Sequence, residues 1–182
     1  LATIGQWPWR RDRIGELISR LRDLGAAIVA LDMVFAEADR FGDPGAGHSP
    51  QSNPASTFDQ ALAATLREGR VVLGHAMRFD AMPLESHRCV LHPVSPALVG
   101  SDDDSGHGHF FHATGAVCHL PMLSEAAGAS GFMNAAPDAD GILRRVPLLM
   151  ELDGRVYPSL ALAAAMAVSQ SRDLVLRVSN VN

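Results

Sequence analysis

Apolar positions in the first part of the chain alternate between a helical spacing and continuous, strand-like runs. One helical face is predicted from five residues at the i, i+3, i+4, i+7 spacing: Ile14, Leu17, Ile18, Leu21 and Leu24. Gly25 follows as the residue that ends this helix, and residues 27–35 form an apolar run of strand length. A second helix is predicted from Thr57, where Thr57 and Gln60 resemble a capping box, and a second buried strand at residues 70–74. Helix–strand–helix–strand with short joints is typical of a parallel sheet.

The first apolar run ends in a group of carboxylates. A near-continuous run at residues 26–35 suits a strand that is buried on both faces in the middle of an α/β sheet. The end of this run carries Asp32, and the following loop adds Glu37 and Asp39. Carboxylates at the exit of a buried strand are costly to desolvate unless they are paired or bind something. Because α/β sheets bind ligands at the carboxyl ends of their strands, these residues are the first candidates for a binding site.

The remaining two thirds of the chain are interrupted by a long polar segment, residues 78–114, which is predicted to be a loop-rich insertion. Five elements are predicted after it: a short helix at residues 121–127, a strand at 129–133, a β-hairpin turning at Asp153-Gly154, an Ala-rich helix at 158–168 and a strand at 174–178. The predicted fold is one α/β domain over residues 1–182. We expect a three-layer sandwich with a mostly parallel central sheet, plus the β-hairpin and the insertion.

Composition bounds the classes of function. The chain has 182 residues, of which 47% are apolar and 19% charged, as in ordinary globular domains. A net charge of −5 with scattered Arg residues argues against nucleic acid as a partner. The longest uninterrupted apolar run, residues 160–168, is too short for a bilayer, which requires ~20 residues. No signal peptide is recognisable, and the opening without Met leads us to expect a segment of a longer protein.

The turn Asp138-Ala-Asp140-Gly141 invites comparison with a calcium loop, and the comparison fails. With Gly141 as the turn glycine, Ala136 and Pro147 occupy the first and last ligand positions, where carboxylates are required. A turn stabilised by Asp side chains that bond their own backbone accounts for the stretch.

Two arginines, Arg144 and Arg145, follow this turn and leave two interpretations open. One of them pairs with Asp32, Glu37 or Asp140 as a structural ion pair, since buried carboxylates need partners. Alternatively, the acids and arginines form a pocket for a polar small molecule. Neighbours on a strand point to opposite faces, so we expect at most one of the two arginines to face a given crevice.

Histidines and cysteines add weaker signals. His107, His109 and His112 lie within six residues, but their spacing matches no zinc signature. We interpret them as loop histidines and expect no tight metal binding there; they remain the weak candidates for a metal site. Cys89 and Cys118 are compatible with a disulfide in an oxidising compartment and equally with two buried thiols.

Enzyme signatures are absent from the sequence. There is no Gly-x-Ser-x-Gly elbow, no phosphate loop and no Gly-x-Gly-x-x-Gly after a strand, and no cofactor is expected. A soluble α/β hydrolase-type enzyme that uses Asp32, Glu37 and Asp39 is therefore the alternative rather than the favoured interpretation.

Four segments, in their order, resemble the CHASE2 domain, the extracytoplasmic sensor module of bacterial membrane receptors. The first two are Trp7-Pro8-Trp9-Arg10 with its helix, and the stretch from Ile28 to Asp39. The third is Gly131-Phe132-Met133-Asn134-x-x-Pro137-Asp138-x-Asp140-Gly141-x-x-Arg144-Arg145-Val146-Pro147, and the last is Tyr157-Pro158-Ser159-Leu160-Ala161-Leu162. With residues 58–73 these segments cover nearly the whole chain apart from the insertion.

The resemblance implies a ligand-sensing α/β domain outside the cytoplasmic membrane, and no catalysis in the domain itself. In such receptors, flanking transmembrane helices lead to a cytoplasmic output domain, typically an adenylate or other nucleotide cyclase, a histidine kinase of a two-component system, a diguanylate cyclase or a Ser/Thr kinase. The partners expected are an unknown small-molecule ligand, these helices and the output domain, with a homodimer left open.

The predicted ligand-binding set combines the carboxylates with polar residues of the third segment. Its members are Asp32, Glu37, Asp39, Asn134, Asp138, Asp140, Arg144 and Arg145. We expect the first three to meet the segment from Asp138 to Arg145 at one crevice by the carboxyl edge of the sheet.

Overall fold

A computed structural model of the chain describes residues 7–41, 56–80, 89–99, 110–135, 138–171 and 173–177. The described residues form four helices: α1 (Arg11–Asp23), α2 (Thr57–Arg67), α3 (Pro121–Ala127) and α4 (Leu160–Ser169). They also form nine strands: β1 (Val29–Leu31), β2 (Val71–Arg78), β3 (Ala97–Val99), β4 (Phe111–His112), β5 (Gly115–Val117), β6 (Ser130–Phe132), β7 (Leu149–Leu152), β8 (Arg155–Pro158) and β9 (Val175–Arg177).

The centre of the fold is β2, an eight-residue strand whose first five residues are all buried. Its first half pairs in parallel with β1, from Val71 opposite Val29, and its middle pairs in parallel with β6. Its last three residues pair with β5 in the antiparallel direction. Two of the three strand pairings are parallel and one is antiparallel, so the four strands form a mixed sheet.

The expectation that residues 27–35 form the buried central strand is wrong. Only Val29–Leu31 is a strand, its middle residue Ala30 is exposed, and β2 is its one partner in the described part of the chain. The remaining residues of the apolar run leave the sheet, and Phe35 is buried beside the helices instead. The apolar run thus fills the core without extending the strand.

Three helices pack on the sheet through one apolar cluster. Ile14 and Ile18 of α1, Leu62 and Leu66 of α2 and Leu123 of α3 are buried together, and they contact Val71 and Leu73 of β2. The predicted α1 face is correct at Ile14 and Ile18, whereas Leu17 and Leu24 are exposed, Leu24 by 85%. The helix instead turns Gly15 and Arg22 inward, and Arg22 donates to the carbonyl oxygen of Thr65 on α2 at 2.8 Å.

Local signals set the helix ends. Gly25 has a φ of +95°, and the bonds Gly25 N–H to Arg22 and Ala26 N–H to Leu21 satisfy the last carbonyl groups of α1. α2 begins at Thr57 as predicted, but the capping box is Ser56 with Asp59 rather than Thr57 with Gln60. Ser56 Oγ accepts from the N–H of Asp59, whose carboxylate accepts from the N–H of Ser56.

The predicted hairpin is β7–β8, and its turn is formed by Asp153 and Gly154. Both residues have positive φ, +50° and +71°, as a two-residue turn of type I′ requires. β4 pairs in parallel with β7 and makes a second mixed sheet of three strands. Met150, Leu152 and Tyr157 of the hairpin pack against Met77 of β2 and Phe132 of β6 in a second apolar cluster.

The loop-rich insertion contains more regular structure than predicted. Within residues 78–114, the described parts include β3, which pairs in parallel with β9, and β4, which joins the hairpin sheet. β9 confirms the predicted last strand within the described residues. The predicted elements α3, β6 and α4 lie where the sequence placed them.

α4 begins against the central sheet at a position without a side chain. Ser159 caps the helix by accepting from the N–H of Leu162 at 3.2 Å. A Cβ atom on Gly131 of β6 would lie 2.6 Å from the backbone of Ser159 and Leu160. The glycine therefore allows the helix backbone to contact the strand directly.

The fold class is α/β, with four helices and two mixed sheets in the described residues. Of the helices in the described part of the chain, none combines the length and apolar character that a bilayer crossing demands.

We expect Gly131→Ala to lower the free energy of unfolding by ~1–3 kcal/mol, because a methyl group there overlaps the start of α4. Gly115→Ala on β5 is the matched control, since a Cβ at Gly115 meets nothing within 4 Å. Urea unfolding of the two variants measures the difference. Equal midpoints for both would show that the close approach at Gly131 contributes nothing.

Candidate functional site

The three carboxylates predicted at the end of β1 have different surroundings. Asp32 and Glu37 are exposed, and neither side chain has a hydrogen bond or ion pair among the described residues. Asp39 is buried and only 7% exposed. Its Oδ2 accepts from the backbone N–H of Arg11 at 2.7 Å, which gives the first turn of α1 an acceptor from 28 residues away.

Asp39 belongs to a buried network that includes Asp59 of α2. The Asp39 N–H donates to Asp59 Oδ2 at 3.0 Å, and Nε of Arg11 lies 3.5 Å from Asp59 Oδ1. The Arg11 guanidinium also lies 4.3 Å from the centre of the Phe35 ring. Asp59 is fully buried, so the Arg11 charge and the bonds from Ser56 are what make its carboxylate tolerable there. This network joins the start of α1 to the start of α2 and to the loop after β1.

The Asp138–Arg145 segment forms a local, exposed ion-pair cluster. Arg144 makes two parallel bonds to Asp140, at 2.9 and 2.8 Å, and lies 3.2 Å from Asp138. Arg145 reaches Asp138 at 3.3 Å. The Arg144 guanidinium lowers the pKa of Asp140, chiefly through these hydrogen bonds.

The prediction of a structural pair between an arginine and Asp140 is therefore confirmed. We expected at most one arginine to face a given crevice because neighbours on a strand point to opposite faces, and this premise does not hold here, since both arginines reach Asp138. The physical reason is that residues 141–147 are not in a strand, so strict alternation of faces does not apply. No hydrogen bond or ion pair joins this cluster to Asp32, Glu37 or Asp39 among the described residues, and their meeting at one crevice stays a prediction.

Asn134 extends the central sheet with its side chain. Its Oδ1 accepts from the N–H of Met77 at 2.6 Å, and its Nδ2 donates to the carbonyl oxygen of Met77 at 2.8 Å. The amide thus continues the ladder on β2 just beyond the end of β6. A ligand that bound this amide would have to replace both bonds.

The histidines predicted as weak metal candidates fall mostly outside the described residues. His107 and His109 lie outside the described residues. His112 is exposed on β4, and its Nδ1 lies 3.5 Å from Glu151 Oε1. Within the described ranges, no set of three or more His, Cys, Asp or Glu side chains is placed to hold a metal ion.

The most unusual chemistry in the core is a group of histidines around β2. His119 is 3% exposed and bonds with both ring nitrogens: Phe35 N–H donates to Nδ1 at 3.1 Å, and Nε2 lies 2.8 Å from the carbonyl oxygen of Gly74. A carbonyl oxygen only accepts, so Nε2 carries the proton and Nδ1 is the unprotonated acceptor. The bonding pattern requires a neutral ring.

His75, next to Gly74 on β2, is fully buried, and neither of its ring nitrogens has a hydrogen-bond partner in the described part of the chain. Its ring lies 6.5 Å from that of Tyr157, edge to face. Burial lowers the pKa of both His75 and His119 to about 4, with the neighbouring His119 adding to the effect at His75. Both side chains are neutral at pH 7.

A disulfide and a third histidine hold the adjacent segments in place. Cys89 and Cys118 are bonded, with their Cα atoms 5.7 Å apart, so the disulfide is the alternative that the structure contains. His92 lies three residues after Cys89, and its Nδ1 is 3.0 Å from Ser130 Oγ on β6. Burial lowers the pKa of His92 as well.

The residues that the sequence interpretation missed are the buried Asp59, His75 and His119 and the partly buried Arg11. Asp59 occupied the third position after Ser56, which is the capping-box spacing, and that signal was available. His75 stands at the end of an apolar run as a lone imidazole. Cys118 and His119 are adjacent in the chain, but their side chains make different contacts.

Comparison with known proteins gives one match. A family model described as the CHASE2 domain matches residues 1–179, nearly the whole chain. Neither the curated proteins nor the solved structures contain a match to this sequence.

We expect Asp59→Ala to lower the free energy of unfolding by ~3–5 kcal/mol, because it leaves Arg11 buried without its charge partner. Asp32→Ala removes an exposed carboxylate without a described partner and should change that energy by ~0.5 kcal/mol or less. Chemical unfolding of both variants at pH 7 gives the comparison. A loss at Asp32 as large as that at Asp59 would contradict the assignment of the buried network.

The stability of the domain should fall in acid through its buried histidines. Their pKa is about 4 in the folded chain against 6.5 unfolded, so the unfolded state binds protons first as the pH falls. This stability is complete above pH 6.5 and is lost between pH 6.5 and 4, by roughly 3 kcal/mol for each histidine. Urea midpoints across this range should show a shallower dependence for His75→Leu, and an unchanged one for the exposed control His112→Asn. An equal slope in wild type and His75→Leu would contradict the expected role of His75.

Proposed function

The chain belongs to the CHASE2 domain family, a family of extracellular sensor domains, and on that premise we propose that it is the extracytoplasmic sensing domain of a bacterial transmembrane receptor. The observation that carries the proposal is the match over residues 1–179. The cytoplasmic output would be an adenylate or other nucleotide cyclase, a histidine kinase, a diguanylate cyclase or a Ser/Thr kinase. The domain itself is a sensor rather than a catalyst.

The Cys89–Cys118 disulfide supports the extracytoplasmic, or periplasmic, location. Disulfides persist in oxidising compartments and are rare where thiols are kept reduced. The bond ties the segment before β3 to the segment between β5 and α3, so it stabilises the long insertion against the rest of the domain. A chain that folds in the periplasm or outside the cell gains this stabilisation.

The start of α1 is the proposed point at which a conformational change leaves the domain. In the proposed receptor, a transmembrane helix precedes α1, and another follows the end of the domain. The first turn of α1 is held by Asp39 and Asp59, residues of the loop after β1 and of α2. Any rearrangement of that loop therefore changes the contacts of the residues closest to the membrane helix. A homodimer of the receptor remains part of the proposal.

The proposed ligand is a small polar molecule, and the candidate residues differ in how readily they could bind it. Asp32 and Glu37 are exposed and have no described partner, so binding would break no existing bond. Asp140, Arg144 and Arg145 are exposed and Asp138 is partly buried, but all four are already paired, so a ligand would exchange one ion pair for another. Asp39 and Asn134 are engaged in the fold and are the weakest members of the set.

A three-layer architecture is also proposed. α1, α2 and α3 pack against Val71 and Leu73, whereas the start of α4 packs against Gly131, which lies opposite Gly74. Because successive strand residues point to opposite faces, this pattern favours helices on both sides of the central sheet.

The alternative of a hydrolase-type enzyme at Asp32, Glu37 and Asp39 gains no support from the geometry. Asp39 is bonded to Arg11 and Asp59, and the other two carboxylates are exposed to solvent. Acid–base catalysis by paired carboxylates needs two carboxyl groups in one site, and no hydrogen bond joins these three side chains within the described residues.

Thiol labelling of intact cells distinguishes the receptor from the enzyme alternative. Cells that produce the full receptor are treated with a membrane-impermeant phosphine and then with a membrane-impermeant maleimide. We expect two labels that depend on prior reduction and are absent from the Cys89→Ser/Cys118→Ser double variant, because the disulfide faces the outside. Labelling of these cysteines only after lysis would place the domain in the cytoplasm and overturn the proposal.

A further inference from the structure

We propose that His119 and His75 form a proton-operated clamp, which holds the start of α1 against the central sheet when the rings are neutral and releases it when they are protonated. The clamp is defined by His119, His75, Phe35 and Arg11. As a signal to a receptor it rests on the proposed function, but the release of α1 is a property of the chain itself.

The first step is the bonding of His119. Its ring bridges Gly74 on β2 and Phe35 in the loop after β1, and it does so with one donor and one acceptor nitrogen. Protonation converts Nδ1 into a donor, and this donor then faces the N–H of Phe35 at 3.1 Å. The bridge is replaced by a repulsive contact, so the protonated ring and Phe35 must separate.

In the second step, the separation of His119 and Phe35 disturbs the contacts of Arg11 in α1. The Phe35 ring lies 5.6 Å from the His119 ring and 4.3 Å from the Arg11 guanidinium. Arg11 is the first residue of α1, and its charge lies close enough to lower the pKa of His119. A second positive charge at His119 repels Arg11 directly, in addition to displacing the phenyl ring that lies near both.

The third step is that no carboxylate in the described part of the chain is left to compensate the new charge. His119 faces Arg11 of α1, and it faces His75 on β2. His75 also faces His92, from the segment before β3, and Tyr157 of β8. Of the carboxylates near Arg11, Asp39 accepts from the Arg11 backbone N–H, and Asp59 forms an ion pair with the Arg11 guanidinium and accepts from the Asp39 N–H. A proton in this cluster therefore meets cations and neutral rings, and the cheapest relief is outward movement of the loop and of α1.

His75 makes the release of α1 depend more steeply on pH. It is fully buried with no described partner for either nitrogen, so it gains hydrogen bonds only if the structure opens to water. Opening at His119 admits that water, and His75 can then be protonated too. The low pKa of about 4 for both rings places the release in mildly to strongly acidic solution, which an extracytoplasmic domain experiences directly.

The chain carries its own reporters at the element that moves. Trp7 and Trp9 are its only two tryptophans and immediately precede α1, with their rings 5.9 Å apart. We expect tryptophan emission of the 182-residue chain to shift, and acrylamide quenching to rise about twofold, as the pH falls from 6.5 to 4. Far-UV circular dichroism should be retained through this change, because α1 is released as an intact helix.

The decisive variant is His119→Asn, whose Oδ1 can accept from Phe35 N–H and cannot be protonated. We expect its tryptophan signal to stay constant over the same pH range, whereas the matched control His112→Asn on the exposed strand β4 should behave as wild type. An unchanged acid response in His119→Asn, or a loss of circular dichroism that coincides with the tryptophan change, overturns the proposal.

If His119→Asn does not fold, NMR of the wild-type chain decides the question. We expect the Phe35 amide and both indole signals to follow the titration of the His119 ring with one midpoint. Indole signals that stay fixed while the ring titrates overturn the clamp. Neither result depends on the thiol labelling of intact cells, so failure of the clamp and failure of the sensor assignment are distinguishable.

Discussion

The close approach of backbones at Gly74 and Gly131 is the constraint on which the architecture depends. The two glycines lie opposite each other on β2 and β6, and a Cβ atom on Gly74 would lie 2.7 Å from the carbonyl oxygen of Leu31. A Cβ on Gly131 would meet the backbone at the start of α4. With neither present, α4 sits directly on the sheet and Met133 folds over β2. The hairpin leads into α4 through Ser159, so its position also follows from this contact.

The features that the sequence predicted are those that depend on nearby residues. Pro121 fixes the start of α3, Asp153-Gly154 fixes the hairpin, and Gly25 ends α1, because each acts through its own backbone conformation. The family resemblance was equally predictable, since its motifs are continuous in sequence. The extension of β2 to Arg78 was missed because it depends on pairing with β5, which directly follows the insertion and has no strand signal of its own. Strand pairing over such separations is decided by packing rather than by local preference.

The candidate site shows the same division between local and distant contacts. The pairing of Arg144 with Asp140, four residues away, was predictable from spacing. The partners of Asp39 were not, since Arg11 and Asp59 lie 28 and 20 residues away, and the capping-box position of Asp59 indicates a bond to Ser56 but none to Asp39. The sequence interpretation concentrated on the charges of the Asp138–Arg145 segment. The ionisable groups with the largest changes in pKa are instead His75 and His119, which lie in apolar surroundings. The difference between these two sets of residues is burial, and a single sequence does not reveal which side chains are buried.

The disulfide and His119 lie on the same segment of chain, just before α3. This determines which part of the protein can move when His119 is protonated. Cys118 is fixed to Cys89, and His119 follows it directly. Leu120, the next residue, donates its N–H to the carbonyl oxygen of Phe35 at 2.8 Å, and α3 starts immediately afterwards. The segment that carries His119 is therefore held at both ends and has little freedom to move. The loop that carries Phe35 joins the short edge strand β1 to Asp39 and is held by hydrogen bonds, without a disulfide. When a charge is created between a fixed segment and a less constrained one, the displacement falls on the latter, and that loop is the one that supports the start of α1.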